Sequence, residues 1–476
     1  MLTPSEWISV FSFVDLGTVL GLAVLPLVAS VVASTPNQEE AGTEFDENKV
    51  RSQIDEWEKV PTRTLEQQEA LAQLYVKLAI WLYESDAEGD LQEIFDLFSK
   101  AEAVLRQTLA QGEDEEIRRK LGMIDLHRAV VCNDCDGMDE AVHYYTTAIE
   151  TLMPLDHKGD GEAKYDIAGM KLNRGQIFHE LGEIEKANKD YDEAFLAYRA
   201  VEKISDLDTR FYMAKVSVAQ GSLYRDMDEP LERIIDAYNR AMRLFVELID
   251  AGEKEHEQEL ANVLMDRCTA SYESYMNQGF ECEADRKSKF DDVLLNVGRA
   301  IEILDRLGDG ETVRCDLFNA YTTQGAMLLD LEQFPESLEV FDRLIRDFSD
   351  FATETDPTLV NQFAAVRENR GCALIGLGRF DEALGDFNQA IACREHLQSP
   401  DFDLDDDERK IFVPSLTTAY ANRANAYAAL NKLGEARTDC QTGITLLQPL
   451  KTADNEDNEE IEEIESMLKA LLEKWS

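Results

Sequence analysis

The stretch Asn369–Ile391, NRGCALIGLGRFDEALGDFNQAI, decides the fold. Leu374 and Leu377 continue one face of a first helix, LGRFDEA turns the chain, and Ala383, Leu384, Phe387, Ala390 and Ile391 fall at i, i+1, i+4, i+7 and i+8 of a second. Gly371 and Ala383 are small where two helices approach, and Phe387 fills the space they leave. The spacing predicts a helical hairpin. A lone hairpin has no second wall for its core, so it must stack on copies of itself.

Copies are present. A polar residue, Arg and a small residue recur as His127-Arg128-Ala129, Asn173-Arg174-Gly175, Asp266-Arg267-Cys268, Asn369-Arg370-Gly371 and Asn422-Arg423-Ala424, and Gln replaces Arg at Gln220-Gly221 and Gln324-Gly325. The middle positions step by 46, 46, 47, 57, 46 and 53 residues, a period near 46 with two insertions.

This pattern resembles the tetratricopeptide repeat family, in which a small residue is followed by Ala twelve later, an aromatic four after that and a small residue three further on. Gly371, Ala383, Phe387 and Ala390 fit, as do Gly175, Ala187, Tyr191 and Ala194, and Ala129, Ala141, Tyr145 and Ala148. Gly325, Ser337, Phe341 and Leu344 fit with substitutions, as do Ala424, Ala436, Cys440 and Gly443. Gly221 reaches Tyr238 and Ala241 after one extra residue, and Cys268 crosses an insertion around Gly279 to Phe290 before Val293, Val297 and Ala300 resume the pattern. A divergent eighth unit runs from Leu65 to Leu109, with Ile94, Phe98 and Ala101 in its second helix. The resemblance implies an all-α fold: an α-solenoid, coiled as a right-handed superhelix, of about eight helix-turn-helix repeats closed by a C-terminal capping helix.

For function the resemblance implies a non-enzymatic protein-protein interaction scaffold without naming a partner, because one architecture serves many. In the family the first helices line a concave groove where Asn side chains hold a ligand's backbone. Asn173, Asn369 and Asn422 match those Asn, with Asp266 and His127 as departures, and Gln176, His179 and Asn425 lie three or six residues further along the same helices. These positions form the expected partner-binding groove for a protein or extended peptide. The alternative is that the Asn satisfy neighbouring helix backbones. The repeated Arg is expected to pair with a carboxylate of the adjacent repeat. The family's clamp for acidic tails needs Lys or Arg just before the Asn positions, where Leu172, Glu368 and Ala421 stand, so acidic tails should be rejected.

Charge points the same way. The chain of 476 residues carries 96 Asp and Glu against 47 Lys and Arg, a formal net charge of −49. Such a field repels nucleic acid and anionic bilayers and favours a basic partner, although acidity also keeps a long stack soluble. Several of the eight Cys sit at core helix positions and they read as small buried hydrophobes rather than a disulfide framework, which suits a reducing interior.

No cofactor is expected. Cys132 and Cys135, with His127 and His143 nearby, have the spacing of half a zinc site, but Cys132 falls on an inward helical stripe and Cys135 begins a turn. Asp401–Glu408, DFDLDDDE, lacks the Gly and terminal Glu of a calcium loop, with Phe412 at the twelfth position. A metal-binding or regulatory subunit using acidic loops is the alternative function. The sequence has no Gly-rich phosphate loop and no Gly-x-Ser-x-Gly elbow, and its six His are scattered, so no catalytic residue is assigned.

The domain reading is a hydrophobic segment over 1–34, an acidic linker with a short helix over 35–63, the repeats over 64–452 and the capping helix over 453–476. Ile8 to Ala33 is nearly all apolar and Leu16 to Ser34 carries no charge, just enough to span a bilayer. Three readings stay open: a membrane anchor through residues 8–33 with the solenoid in the cytoplasm, an exported chain with a signal cleaved near Val31-Val32-Ala33, and a stretch packed on the stack. Val50 to Val60 is the expected short helix. Thr64 with Gln67, and Asp90 with Glu93, read as capping boxes that start the first long helices. The extra dozen residues per repeat are expected to lengthen the helices to ~19 residues, or ~28 Å. At the end, Ile461, Ile464, Met467, Leu468, Leu471, Leu472 and Trp475 form one apolar stripe.

Overall fold

The computed structural model describes residues 45–475 except 86–90, 111, 113, 136, 202–205, 281, 309, 354–355, 400–401, 403–409 and 451–457. The hydrophobic segment 1–34, with its expected membrane attachment, the capping box at Asp90 and nearly all of the acidic loop Asp401–Glu408 lie outside the described residues. Among the described residues the fold is all-helical, without strands, and no helix is long and apolar enough to cross a membrane. The described chain divides into two compact units at His256 and Glu257.

The first unit contains α1 (Glu47–Glu58) and four hairpins: α2 (Leu65–Glu84) with α3 (Leu91–Leu109), α4 (Glu115–Asp134) with α5 (Met138–Asp156), α6 (Gly161–Glu180) with α7 (Ile184–Val201), and α8 (Asp206–Asp226) with α9 (Leu231–Ala251). The second contains α10 (Glu257–Gln278) with α11 (Glu283–Leu307), α12 (Glu311–Asp330) with α13 (Phe334–Asp347), α14 (Pro357–Gly376) with α15 (Phe380–Leu397), α16 (Val413–Ala429) with α17 (Leu433–Leu447), and the closing α18 (Asn458–Lys474). Within each unit the second helix of one hairpin packs on the first of the next, and first helices also touch, as α6 does α8 and α14 does α16. This is the α-solenoid arrangement of stacked hairpins. Thr64 and Gln67 make the expected capping box, with hydrogen bonds of 3.0 and 3.3 Å. The short helix runs Glu47–Glu58 because Asp46 caps it, accepting from the Lys49 N–H at 3.0 Å. The insertion after Cys268 is mostly helical, since α11 begins at Glu283. The capping helix α18 lays Leu468 against Gly443 and accepts a hydrogen bond from Arg437 Nε at the Trp475 carbonyl, 2.7 Å away.

Two contacts repeat through the hairpins. The first sets how closely the paired helices approach. A Cβ placed on Gly371 would sit 2.6 Å from the Phe387 ring, and Cβ atoms on Gly175, Gly221 and Gly325 would meet Tyr191, Tyr238 and Phe341 at 2.7 Å. Each aromatic is fully buried, and its ring packs directly against bare backbone.

The second contact is a three-helix tie. Arg174 forks onto Asp190 at 2.8 and 2.9 Å, Arg370 onto Asp386 at 2.8 and 2.9 Å, and Arg423 onto Asp439 at 2.8 and 2.7 Å, in each case on the second helix of its own hairpin. The remaining guanidinium nitrogen reaches back to the second helix of the preceding hairpin, at Thr146 Oγ1, Asp342 Oδ1 and Asn388 Oδ1, 2.8–2.9 Å away. The expected carboxylate of an adjacent repeat is met only at Asp342: the bidentate partner is within the hairpin, where planar fork meets planar carboxylate, and the adjacent repeat supplies the third bond. Where Gln220 replaces Arg the tie survives with its polarity reversed. Gln220 donates to Asp192 on the preceding second helix at 2.7 Å and accepts from Arg240 on its own at 2.7 Å.

The turns inside five hairpins share one construction. Gly182, Asp228, Glu332, Gly378 and Asn431 all take positive φ, from 51° to 72°, and the next N–H bonds back to the carbonyl of residue 178, 224, 328, 374 or 427. Glu332 is exposed and has the wrong side chain for that backbone. Glu332→Gly is expected to raise stability by about 1 kcal/mol and Gly378→Glu to lower it by a similar amount in chemical denaturation.

Asp386 is 1% exposed, and burial pushes its carboxyl above the usual range against the opposing pull of Arg370. Asp386→Ala should destabilise the second unit by roughly 2–4 kcal/mol, because Arg370 loses its fork while remaining half-buried. The double change Arg370→Leu with Asp386→Leu should recover much of that loss; equal losses would show that the pair itself carries little.

Asp330, the last residue of α12, supplies a pH dependence. Its carboxyl accepts from the Tyr272 hydroxyl and burial pushes it up to about 6, against an ordinary value of 3.8. Between those values the folded chain keeps a proton that the unfolded chain has released, so this group's contribution is full below pH ~4 and is lost as pH rises to ~6. Asp330→Asn should therefore match the parent at pH 4 and exceed it by up to about 3 kcal/mol at pH 7.

Candidate partner-binding site

The groove residues expected from sequence all lie on first helices, but at different depths. Asn173, Asn369, Asn422 and Asn425 are only 2–6% exposed. Asn173 donates to the Tyr145 hydroxyl of the preceding hairpin at 3.3 Å, Asn422 donates to Glu368 Oε1 on α14 at 2.5 Å, and Asn425 donates to the Ala421 carbonyl one turn back at 3.0 Å. Glu368 also accepts from Arg394 at 2.5 Å, which closes a buried network across α14, α15 and α16. One atom each of Asn173 (Oδ1) and Asn369 (Nδ2) is buried without a partner. Gln176, His179 and Asp266 are half-buried, within reach of solvent. The structure brings Asn173, Gln176 and His179 onto α6, and Asn422 and Asn425 onto α16.

His179 leads to a feature that the repeat pattern did not single out. Its Nε2 lies 2.8 Å from Asp226 Oδ2, the last residue of the next first helix. The four first helices of the first unit all end on an acid, at Glu84, Asp134, Glu180 and Asp226, and all four are exposed. The residue before one acid reaches the next helix's acid twice in this unit: the Tyr83 hydroxyl donates to Asp134, and His179 meets Asp226. Tyr272 does the same for Asp330 in the second unit, where the acid is buried and the later first helices end on Gly376 and Ala429. The signal was available in the sequence. An acid stands five residues after the small residue in Ala79, Ala129, Gly175, Gly221 and Gly325.

A helix C-terminus already carries partial negative charge, so an acid there opposes the helix dipole by ~0.3–1 kcal/mol. Basic residues are absent from the last turns of α2 and α4. Burial pushes the Asp134 and Glu180 carboxyls above the usual range, with His179 easing the effect on Glu180. Burial acts on Asp226 too, but bonding by His179 and Arg225 leaves it below the usual range. The result is four carboxylates at equivalent ends of stacked helices, with His179 and Arg225 in the last turns of α6 and α8 and no basic residue in those of α2 and α4. Metal chemistry has no comparable geometry, because among the described residues no three His, Cys, Asp or Glu converge as ligands.

Residues 363–401 match the tetratricopeptide repeat family. No curated protein matches the sequence. Among solved structures the chain is similar to aspartyl phosphate phosphatase F of Bacillus subtilis, at 12% identity over 85% of this chain and 96% of that one, with a TM-score of 0.45. It is similar to a signal transduction ATPase with numerous domains and a tetratricopeptide repeat sensor from Pyrococcus horikoshii, at 13% identity over 88% and 56%, with a TM-score of 0.43. It is also similar to the TPR2AB domain of yeast Sti1 in its pHSP90 complex, at 15% identity over 73% and 98%, with a TM-score of 0.24. All three TM-scores lie below 0.5, so the weight rests on the matched segment and on the geometry it shares with the other hairpins. Repeats of this kind generally serve as non-enzymatic scaffolds for protein interaction. The glycine-on-aromatic contact at Gly371, within the segment 363–401 that matches the tetratricopeptide repeat model, recurs at Gly175, Gly221 and Gly325.

Proposed function

We propose that the chain is a non-enzymatic scaffold whose first helices bind a basic protein or extended basic peptide. The observation that supports this reading best is the set of exposed acids Glu84, Asp134, Glu180 and Asp226 at the ends of four first helices. A peptide laid across those ends would offer Lys or Arg to each carboxylate, and its charge would relieve the unfavourable pairing of acid with helix C-terminus. In this proposal Gln176 and His179 touch the ligand on the first unit, while Asn173, Asn369, Asn422 and Asn425, each within its own unit, set the spacing of the first helices from beneath. Acidic tails are excluded by the same field.

Labelled polylysine and polyglutamate peptides of equal length test the proposal by fluorescence anisotropy. Polylysine should bind and polyglutamate should not, with affinity falling as salt rises from ~50 to ~500 mM. Replacing Glu84, Asp134, Glu180 and Asp226 by their amides should weaken polylysine binding about tenfold or more, a change of at least about 1.4 kcal/mol. Replacing Asp139, Glu150, Glu185 and Glu232, exposed acids on second helices, removes the same charge and should change little. Equal effects from the two sets would reduce the binding to net charge and overturn the proposed surface.

A further inference from the structure

Cys132 and Cys135 are left unused by the proposed interaction, although Cys132 borders the core of its hairpin. Cys132 lies in the last turn of α4, and Cys135 is the residue that caps it, with φ −108° and ψ 26°. The Cys135 N–H donates to the Cys132 carbonyl at 3.2 Å, and the Gly137 N–H donates to the same oxygen at 2.8 Å. That i to i+3 closure winds the chain in the tight manner that places side chains i and i+3 one above the other. It also holds the two Cα atoms within about 7 Å, overlapping the ~4.4–6.8 Å range that a disulfide spans. The thiols differ in access: Cys135 is exposed, whereas Cys132 is 8% exposed. Burial pushes the Cys132 thiol up to about 11, and the negative charge of Glu140 and of Cys135 itself adds to the rise. A zinc role for the pair lacks further ligands, because among the described residues no third His, Cys, Asp or Glu joins them.

We propose that Cys132 and Cys135 form a reversible redox pair, oxidised to an intrahelical-turn disulfide by a small-molecule disulfide such as oxidised glutathione. The exposed Cys135 reacts first. Its thiol gives up a proton, its sulfur attacks one sulfur of glutathione disulfide, the external S–S bond breaks, and the departing glutathione thiolate takes up that proton. Cys132 then loses its proton and attacks Cys135 Sγ in the mixed disulfide, forming the internal S–S bond and releasing a second glutathione thiolate, which is protonated in turn. Two protein thiols are oxidised and one external disulfide is reduced to two thiols. The order follows from access and from the thiolate fraction, since a buried thiol of high pKa is a poor first attacker but reaches a sulfur one turn away. Asp134 lies between the two cysteines, so the modification sits beside one of the exposed acids, but it does not depend on those acids having a ligand.

Peptide-mapping mass spectrometry of the full chain, incubated with oxidised glutathione and then blocked with an alkylating reagent, tests the proposal. The peptide holding both cysteines should appear two hydrogens lighter and unalkylated, and it should return to the doubly alkylated form after a dithiol reductant. Cys132→Ser should instead retain glutathione on Cys135, and Cys135→Ser should leave Cys132 free and alkylated only after denaturation. Stable glutathione on Cys135 of the parent chain, without the internal disulfide, would overturn the pairing. Two free thiols under conditions that modify the exposed Cys282 would also overturn it.

Discussion

A planar guanidinium held between two second helices is the interaction that sets the register of the hairpins at Arg174, Arg370 and Arg423. Apolar burial brings helices together without fixing which faces meet, because it is non-directional. The fork of Arg174, Arg370 or Arg423 is directional. Two of its bonds settle the register within the hairpin and the third settles the register to the hairpin before it. The swap at Gln220 and Arg240 shows that this geometry, rather than the position of the charge, is what the fold retains. At Arg174 and Arg370 the fork can sit where it does because the neighbouring Gly175 and Gly371 let an aromatic ring pack on the backbone. A longer helix separation would leave arginine and carboxylate out of reach of each other.

Much of this was legible in the sequence, and the part that was not has a physical reason. The small residue, the aromatic and the repeated Arg were read correctly, and the hairpins they imply are present. The partners of the Arg were also visible, since an Asp follows by sixteen residues at Asp190, Asp386 and Asp439. They were missed because helical-face reasoning covers three or four residues and does not reach across a turn. Depth was the harder quantity. Asn173, Asn369 and Asn422 align with ligand-holding positions of the family, yet here they are 3–6% exposed, and Asn173 and Asn422 bond to Tyr145 and Glu368. Sequence spacing gives the direction of a side chain and not what stands in front of it.

The acids at the first-helix ends follow from the same stacking. Regular hairpins place equivalent residues at equivalent heights, so an acid kept five residues after Ala79, Ala129, Gly175 and Gly221 becomes a row of charge in the first unit. That row lies where the backbone is already negative, and the hydrogen bonds from Tyr83 and His179 hold two of its members in place. Local stability is given up at these helix ends. A cation that arrives there gains from both the side chains and the negative end of the helix dipole.

Hydrogen–deuterium exchange across the whole chain, with and without a saturating basic peptide, tests this account most directly. Protection should concentrate in the last turns of α2, α4, α6 and α8 and leave the second helices unchanged. Protection spread evenly over both helices of each hairpin, or confined to the second unit, would contradict it.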